Sequence, residues 1–166
     1  MTSKTKNENG FTLIEGLVAA AILGIGLLGL AGMQGIALNR NVDANESGRV
    51  TNIAADMVER IKFNRRNALS YNNINTGAGC AAIPVAQVMA RGDCTQWQTL
   101  VNNSGLNNAQ GVVQVVRLDA DPTLNPITLN QFQVIVQVNW MGSMKGEGST
   151  ALRAKQAVFA TVLAPE

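Results

Sequence analysis

Histidine is absent from this chain of 166 residues, and charged residues make up only 14% of it. Without histidine the sequence supplies neither a Ser-His-Asp triad nor a metal site with an imidazole ligand. No acidic, basic and nucleophilic residues recur in a pattern that would indicate a converging active site. We therefore expect a protein that is not an enzyme, with no catalytic residue, no metal site and no cofactor.

An excess of charge of one sign is also missing, because 13 basic residues face 11 acidic ones and the formal net charge is +2. So small an excess does not indicate a polyanionic partner, and no nucleic acid is expected. The cations Arg60, Lys62, Arg65 and Arg66 lie close together in the sequence. They are interpreted as charges that complement the C-terminus of a helix.

Proline is missing between residues 11 and 66, and every residue from Gly16 to Met33 is apolar or glycine. A run of about 18 such residues reaches the length of a membrane-spanning helix. Lys4 and Lys6 precede it, so the positive-inside bias places the N-terminus in the cytoplasm and the bulk of the chain outside. We predict one helix over residues 11–66, about 80 Å long at 1.5 Å per residue.

Only two cysteines occur, Cys80 and Cys94, both in the part of the chain expected outside the membrane. An oxidising compartment allows a disulfide between them. In the chain-entropy model a bridge over a loop of this length stabilises by about 3 kcal/mol. Two buried free thiols are the alternative.

One carboxylate, Glu15, stands at the start of the apolar run. In a secretory signal peptide the small-residue cleavage site follows the apolar stretch, whereas here Gly10 precedes it. Cleavage after Gly10 would make Phe11 the new N-terminus and leave its ammonium four positions before Glu15, on the same helix face. A carboxylate in a bilayer costs about 2.5–3.5 kcal/mol, so we expect it to have a partner. The alternative is a shallow glutamate that reaches the headgroups or is protonated there.

The stretch Gly10-Phe-Thr-Leu-Ile-Glu15, followed by the apolar run, resembles the class III leader junction of type IV pilins and type II secretion pseudopilins. The resemblance implies cleavage between Gly10 and Phe11 by a prepilin peptidase and N-methylation of Phe11. It implies a single-pass inner-membrane precursor with a periplasmic head, which a pilus assembly platform adds to a pilus at the cell surface. It also implies that Glu15 of one subunit meets the Phe11 ammonium of a neighbour, although spacing alone allows a pair within one chain.

The second half of the predicted helix is amphipathic. Its apolar face consists of Val50, Ile53, Ala54, Met57, Val58 and Ile61, and Asp56 with Arg60 and Glu59 with Lys62 are predicted ion pairs. Residues 68–79 are predicted to form a loop. In the segment from Cys80 to Val101, Pro84 is at the predicted helix start, Gly92 is a candidate break and Trp97 is a predicted core residue. The predicted apolar face of this helix consists of Val85, Val88, Met89, Trp97, Leu100 and Val101.

Three strands are predicted, over residues 111–118, 131–141 and 152–163. The second alternates, so that one face carries Phe132, Val134, Val136, Val138 and Trp140. This pattern is typical of an antiparallel sheet with one covered face, and the apolar stripe from Val50 to Ile61 is the expected cover. The predicted fold is α+β, with a long N-terminal helix, transmembrane and then amphipathic, packed on a small antiparallel sheet.

The predicted organisation is a prepilin leader over residues 1–10, a transmembrane or assembly helix half over 11–38, an amphipathic helix half over 39–67 and a globular head over 68–166. Three further stretches resemble PilV-type minor pilins, namely Asp56-Met-Val-Glu-Arg60 followed by Asn64, residues 85–98 with Asp93 and Trp97, and Gln137-Val-Asn-Trp140. This resemblance implies a subunit that helps to prime assembly at or near the pilus tip, with other minor pilins and the major pilin as partners. A type II secretion pseudopilin and a membrane-anchored protein that does not polymerise are the alternatives.

Overall fold

A computed structural model of the protein describes residues 12–119, 130–143 and 152–164. The chain divides into two compact units, Met1–Val42 and Asp43–Glu166. Helix α1 (Leu13–Phe63) contributes to both. The long N-terminal helix is therefore confirmed, although it ends at Phe63 rather than at residue 66. Its predicted first residue, Phe11, lies outside the described residues.

The second unit contains all the remaining elements. After α1 come a 3₁₀ helix (Arg65–Tyr71), strand β1 (Ile74–Asn75), a short 3₁₀ helix (Cys80–Ala82), helix α2 (Val88–Asn102) and strands β2 (Asn107–Arg117), β3 (Phe132–Ser143) and β4 (Leu152–Leu163). The strands form one sheet in the order β1-β2-β3-β4, and each neighbouring pair is antiparallel. The predicted α+β fold and the three long strands are confirmed.

The core lies between one face of this sheet and the C-terminal half of α1. Alternate residues of β3 point into it, and Val134, Val136 and Val138 are fully buried. The same cluster contains the predicted stripe of α1, with Val50, Ile53, Ala54, Met57 and Ile61 buried. Burying a side chain of this size contributes about 1.5–3 kcal/mol, so this packing accounts for the position of the helix on the sheet.

Trp97 joins α2 to the same core. Its side chain is fully buried, and its indole Nε1–H donates a hydrogen bond of 2.9 Å to the carbonyl oxygen of Ile53 on α1. The ring lies directly over Gly111 of β2, where a Cβ atom would collide with it. The prediction that Trp97 is a core residue is confirmed.

The prediction of a loop over residues 68–79 is wrong in two places. The 3₁₀ helix extends to Tyr71, and Ile74 and Asn75 form β1, which pairs with Val113 and Val112 of β2. The reason is burial, because the side chains of Tyr71 and Ile74 enter the core.

The predicted helix start at Pro84 is also wrong. The backbone N–H of Gln87 donates to the carbonyl oxygen of Pro84, which closes a turn, and α2 begins only at Val88. Val85 and Val88, which the spacing predicted for the apolar face, are both 74% exposed. The buried face of α2 instead consists of Ala90, Cys94, Trp97 and Val101. Gly92 does not interrupt the helix.

Candidate assembly site

Glu15 lies in the first turn of α1. The backbone N–H groups of Glu15 and Gly16 donate to the carbonyl oxygen of Thr12, at 3.1 and 3.2 Å, which fixes where the helix begins. An acidic side chain in a first turn interacts favourably with the positive end of the helix dipole. The carboxylate is exposed. Its predicted partner, Phe11, and the predicted cleavage point at Gly10 lie outside the described residues.

The apolar residues of α1 that follow have no cover within the described part of the first unit. Leu13 is 91% exposed, and the large side chains from Ile14 to Leu38 are all exposed, on every side of the helix. α1 is long and apolar enough to cross a membrane, by length and composition. Exposed apolar area is unfavourable in water at about 25 cal/mol per Å², so this surface needs lipid or other apolar helices around it. The segment fits a membrane-anchored protein.

Glycines occur along this segment without breaking the helix. α1 remains helical through Gly24, Gly26, Gly29, Gly32 and Gly35, and a Cβ atom at any of them would meet nothing within 4 Å. Glycine lets the backbone of a neighbouring helix approach closely, as small residues do at helix contacts in lipid. The backbone is α-helical throughout Gly29 to Gly35.

A second cluster of polar residues ties α1 to α2 in the head. Arg60 pairs with Asp56, one turn earlier in α1, with its Nε 2.6 Å from Oδ2, which confirms that predicted ion pair. The same guanidinium reaches α2, where Nη1 lies 3.1 Å from Oδ1 of Asp93 and 2.8 Å from Oε1 of Gln96. The pKa of Arg60 is raised, mainly because of its hydrogen bond to Asp56. Arg60 thus links two helices rather than only complementing the end of one.

Tyr71 extends this cluster to the 3₁₀ helix. Its hydroxyl donates to Oδ2 of Asp93 at 2.6 Å and accepts a hydrogen bond from the side-chain amide of Asn64 at 3.2 Å. Burial and the hydrogen bond to Asp93 raise the pKa of Tyr71. Asp93 therefore receives Arg60 on one oxygen and Tyr71 on the other.

The disulfide restricts the position of Asp93, because it holds the next residue, Cys94. Cys80 and Cys94 are bonded, with their Cα atoms 5.8 Å apart, and both side chains are buried. This confirms the predicted disulfide. The bridge holds the segment before α2 against the helix, so Asp93, next to Cys94, has little freedom to leave Arg60.

A separate polar cluster joins α1 to the sheet near the start of the second unit. Nζ of Lys155 on β4 lies 2.7 Å from Oδ1 of Asp43 and 2.8 Å from Oε2 of Glu46. The indole N–H of Trp140 donates to the same Glu46 oxygen at 3.0 Å. Hydrogen bonds to Asp43 and then to Glu46 raise the pKa of Lys155. These contacts hold the helix on the sheet where its apolar stripe begins.

Neither cluster could be identified in the sequence as a contact between different helices and strands. The sequence indicates no partner for Asp43 or Glu46, and for Arg60 it predicts only the pair with Asp56 and a position at the end of the helix. The PilV-like pattern is a usable signal for the cluster around Asp93, because the residues that carry it belong to this cluster or lie beside it, namely Asp56, Arg60, Asn64, Asp93 and Trp97.

Among the described residues, no group of three or more His, Cys, Asp and Glu side chains could hold a metal ion.

Comparison with known proteins finds one similarity, at the N-terminus. Residues 5–31 match the family model described as the prokaryotic N-terminal methylation motif. No curated protein and no solved structure matches the chain. The motif implies processing by a prepilin peptidase and membrane-associated pilus assembly. Together with the exposed apolar helix and the α+β head, it supports a type IV pilin-like or pseudopilin protein, a structural rather than a catalytic family.

Proposed function

We propose that this protein is a minor type IV pilin, which helps to prime pilus assembly and lies at or near the pilus tip. The observation that carries the proposal is the exposed, largely apolar helix segment from Leu13 to Leu38, whose first part lies within the methylation motif of residues 5–31. Such a surface is stable in lipid before assembly and in a bundle of like helices afterwards. The same segment then serves first as a membrane anchor and later as the filament core.

The proposal assigns residues 1–10 to a leader that a prepilin peptidase removes after Gly10, and it makes Phe11 the methylated N-terminus. The mature chain would then comprise the assembly helix half over 11–38, the amphipathic half over 39–67 and the head over 68–166. The carboxylate of Glu15 forms an ion pair with the Phe11 ammonium of a neighbouring subunit. Since a lone carboxylate in an apolar bundle costs several kcal/mol, on the order of 3, this pairing favours one axial position of the incoming subunit over others.

The cluster around Asp93 in the head supports the proposal that this minor pilin is of the PilV type. Three residues of the PilV-like pattern, Asp56, Arg60 and Asn64, come from the end of α1, and Asp93 and Trp97 come from α2. Their spacing in the sequence has a physical reason, because Asp56, Arg60, Asn64 and Asp93 belong to one half-buried hydrogen-bonded cluster. Trp97, one turn further along α2, bonds separately to the Ile53 carbonyl of α1. The head would act by binding protein partners, namely other minor pilins and the major pilin.

Deletion of the gene in the native host tests the proposal. A minor pilin that primes assembly should be needed for surface pili, and the protein should be found in sheared pili at a small fraction of the major pilin. Loss of secreted enzymes with pili intact would instead identify a type II secretion pseudopilin, which the methylation motif equally supports. Recovery from membranes only, with pili and secretion both normal, would identify an anchored protein that does not polymerise.

A further inference from the structure

The outer edge of β4 is long, regular and without a partner strand among residues 12–119, 130–143 and 152–164. β4 has 12 residues and is last in the sheet order, so β3 is its only partner among the described strands. Its register with β3 runs without a shift from Leu152 to Leu163. The backbone groups of every second residue therefore point away from the sheet, with no strand to receive them.

From Gln156 to Leu163, β4 lacks the devices that usually protect an edge strand from pairing. It contains no proline and no bulge, and it carries no charge from Gln156 to Leu163. Its one lysine, Lys155, points to the face that carries Trp140 and is held by Asp43 and Glu46. Edge strands that must remain unpaired are usually short, bent or charged. An unprotected edge of this length therefore indicates an edge that another chain covers in the assembled state.

The outer face of the sheet beside this edge is also free of charge. Charged residues make up 14% of the chain. None of them occurs among the outward-facing residues of β4, nor among the outward-facing residues of β3 and β2 that lie across the sheet from them. On β4 these residues are Ala154, Gln156, Val158, Ala160 and Val162. Val158 and Val162 are 56% and 53% exposed. A strand added at the edge would bring its own side chains beside these valines and cover them.

We propose that the outer edge of β4 accepts an extended strand from another subunit of the assembly, so that the sheet gains a fifth strand across the subunit boundary. The inference rests on the proposed function in that its partner is a different pilus subunit. The edge itself defines the partner, because unpaired N–H and C=O groups in a row are complementary to an extended backbone and to nothing helical. Apolar or small uncharged side chains on the partner fit beside Val158 and Val162.

Charge limits which residue of the added strand lies beside the N-terminal end of β4. Arg153 and Lys155 are the only charged residues of β4, and both lie at its N-terminal end. Asp43 and Glu46 already neutralise Lys155, whereas Arg153 is exposed. An acidic residue of the partner strand should therefore lie at this end. At the opposite edge of the sheet, β2 is already occupied by the two-residue strand β1 and by hydrogen bonds with Asn72 and Thr76.

Hydrogen exchange of the full chain tests the proposal. In purified protein kept monomeric in detergent, about half of the β4 amides should exchange quickly, because they point away from β3. In native membranes and in sheared pili the same amides should slow by at least about tenfold. Equal rates in all samples would overturn the proposal, and slow exchange already in the monomer would show that the chain covers its own edge. Slowing in the detergent sample on concentration alone would identify a second copy as the partner and also overturn it.

Two neighbouring proline variants separate edge pairing from a loss of folding. Because successive N–H groups of a strand point to opposite edges, one of Ala160→Pro and Thr161→Pro removes a donor to β3 and the other removes an outward donor. We expect the outward variant to keep the melting temperature of the head and to lose the protection seen in membranes. Retained protection in a folded outward variant would contradict the proposal. If the protein proved absent from pili but its edge were protected in membranes, the proposed function would fail, and the edge would still be shown to accept a strand from another membrane-associated protein.

Discussion

Arg60 of α1 and Asp93 of α2 form an ion pair across the two helices of the head, with Nη1 3.1 Å from Oδ1. Their side chains are 24% and 17% exposed, so solvent screens this pair less than one on the open surface. Asp93 also accepts the Tyr71 hydroxyl and lies next to the bridged Cys94. The contact therefore connects the end of α1, the 3₁₀ helix and α2 in one place.

Replacing Arg60 by alanine should destabilise the head by about 1–3 kcal/mol, because Asp93 loses its cation in a half-buried site. The measurement is denaturant unfolding of the full chain in detergent, followed by tryptophan fluorescence, since Trp97 and Trp140 both lie in the head. Lys62→Ala is the matched control, because it removes an exposed pair with Glu59 worth only about 0.2–0.5 kcal/mol. Equal effects of the two substitutions would show that the Asp93 contact contributes nothing.

The single tyrosine makes the same cluster sensitive to alkaline pH. Burial raises the pKa of Tyr71 above its ordinary value of 10.0, so the folded protein holds this proton more tightly than the unfolded chain. The stabilisation is therefore fully present below pH about 10 and is lost as the pH rises through the raised pKa. Because the chain has 1 tyrosine, phenolate absorbance reports on this residue alone.

Tyr71→Phe separates this contribution from that of the lysines, which also titrate at high pH. The variant should be less stable at neutral pH, because it lacks the hydrogen bond to Asp93, but its stability should fall less steeply above pH about 10. Parallel unfolding curves of the two proteins over that range would contradict the assignment.

Gly111 and Gly92 form a matched pair of glycines with opposite expectations. A Cβ at Gly111 would collide with the ring of Trp97, which is buried and hydrogen-bonded, so Gly111→Ala should destabilise by about 1–3 kcal/mol. At Gly92, inside α2, a Cβ meets nothing within 4 Å, so Gly92→Ala should stabilise by about 0.4–1 kcal/mol. Thermal unfolding of both variants tests the pair, and a tolerated alanine at 111 would show that Trp97 has room to move.

Glu15 is expected to matter for assembly and not for membrane insertion. Glu15→Gln removes the charge but keeps the size, so the variant should be inserted and processed normally. Its recovery in sheared pili should fall by roughly tenfold or more, which corresponds to about 1.4 kcal/mol of lost pairing. Glu15→Asp keeps the charge and should retain part of the recovery. Full recovery of Glu15→Gln in pili would mean that the carboxylate does not position the subunit.

The parts of the fold that could be predicted from the sequence are those with a sustained period. The alternation from Phe132 to Trp140 and the stripe from Val50 to Ile61 extend over enough residues for burial to dominate any local preference. β1 could not be found in this way, because Ile74 and Asn75 are too few to show a period and lie among asparagines and glycines. Only the pairing with β2, distant in the sequence, makes them a strand.

The start of α2 failed for a different reason. Val85, Val88 and Met89 are larger apolar residues than Ala90 and Cys94, so their spacing predicts the wrong face for the first half of α2. Ala90 and Cys94 are buried instead, and the disulfide holds Cys94 against the segment before the helix. Pairs such as Arg60 with Asp93 are separated by 33 positions, and a single sequence gives no measure of that proximity.

The intact mass of the protein recovered from sheared pili of the native host tests the central claim most directly. A type IV pilin-like subunit should have the mass of residues 11–166 plus one methyl group, less two hydrogens for the bond between Cys80 and Cys94. In a strain without the prepilin peptidase, the membrane fraction should contain the chain with residues 1–10 still attached and no methyl group. A pilus fraction that holds the unprocessed chain, or a mature chain that begins at another residue, would contradict the account.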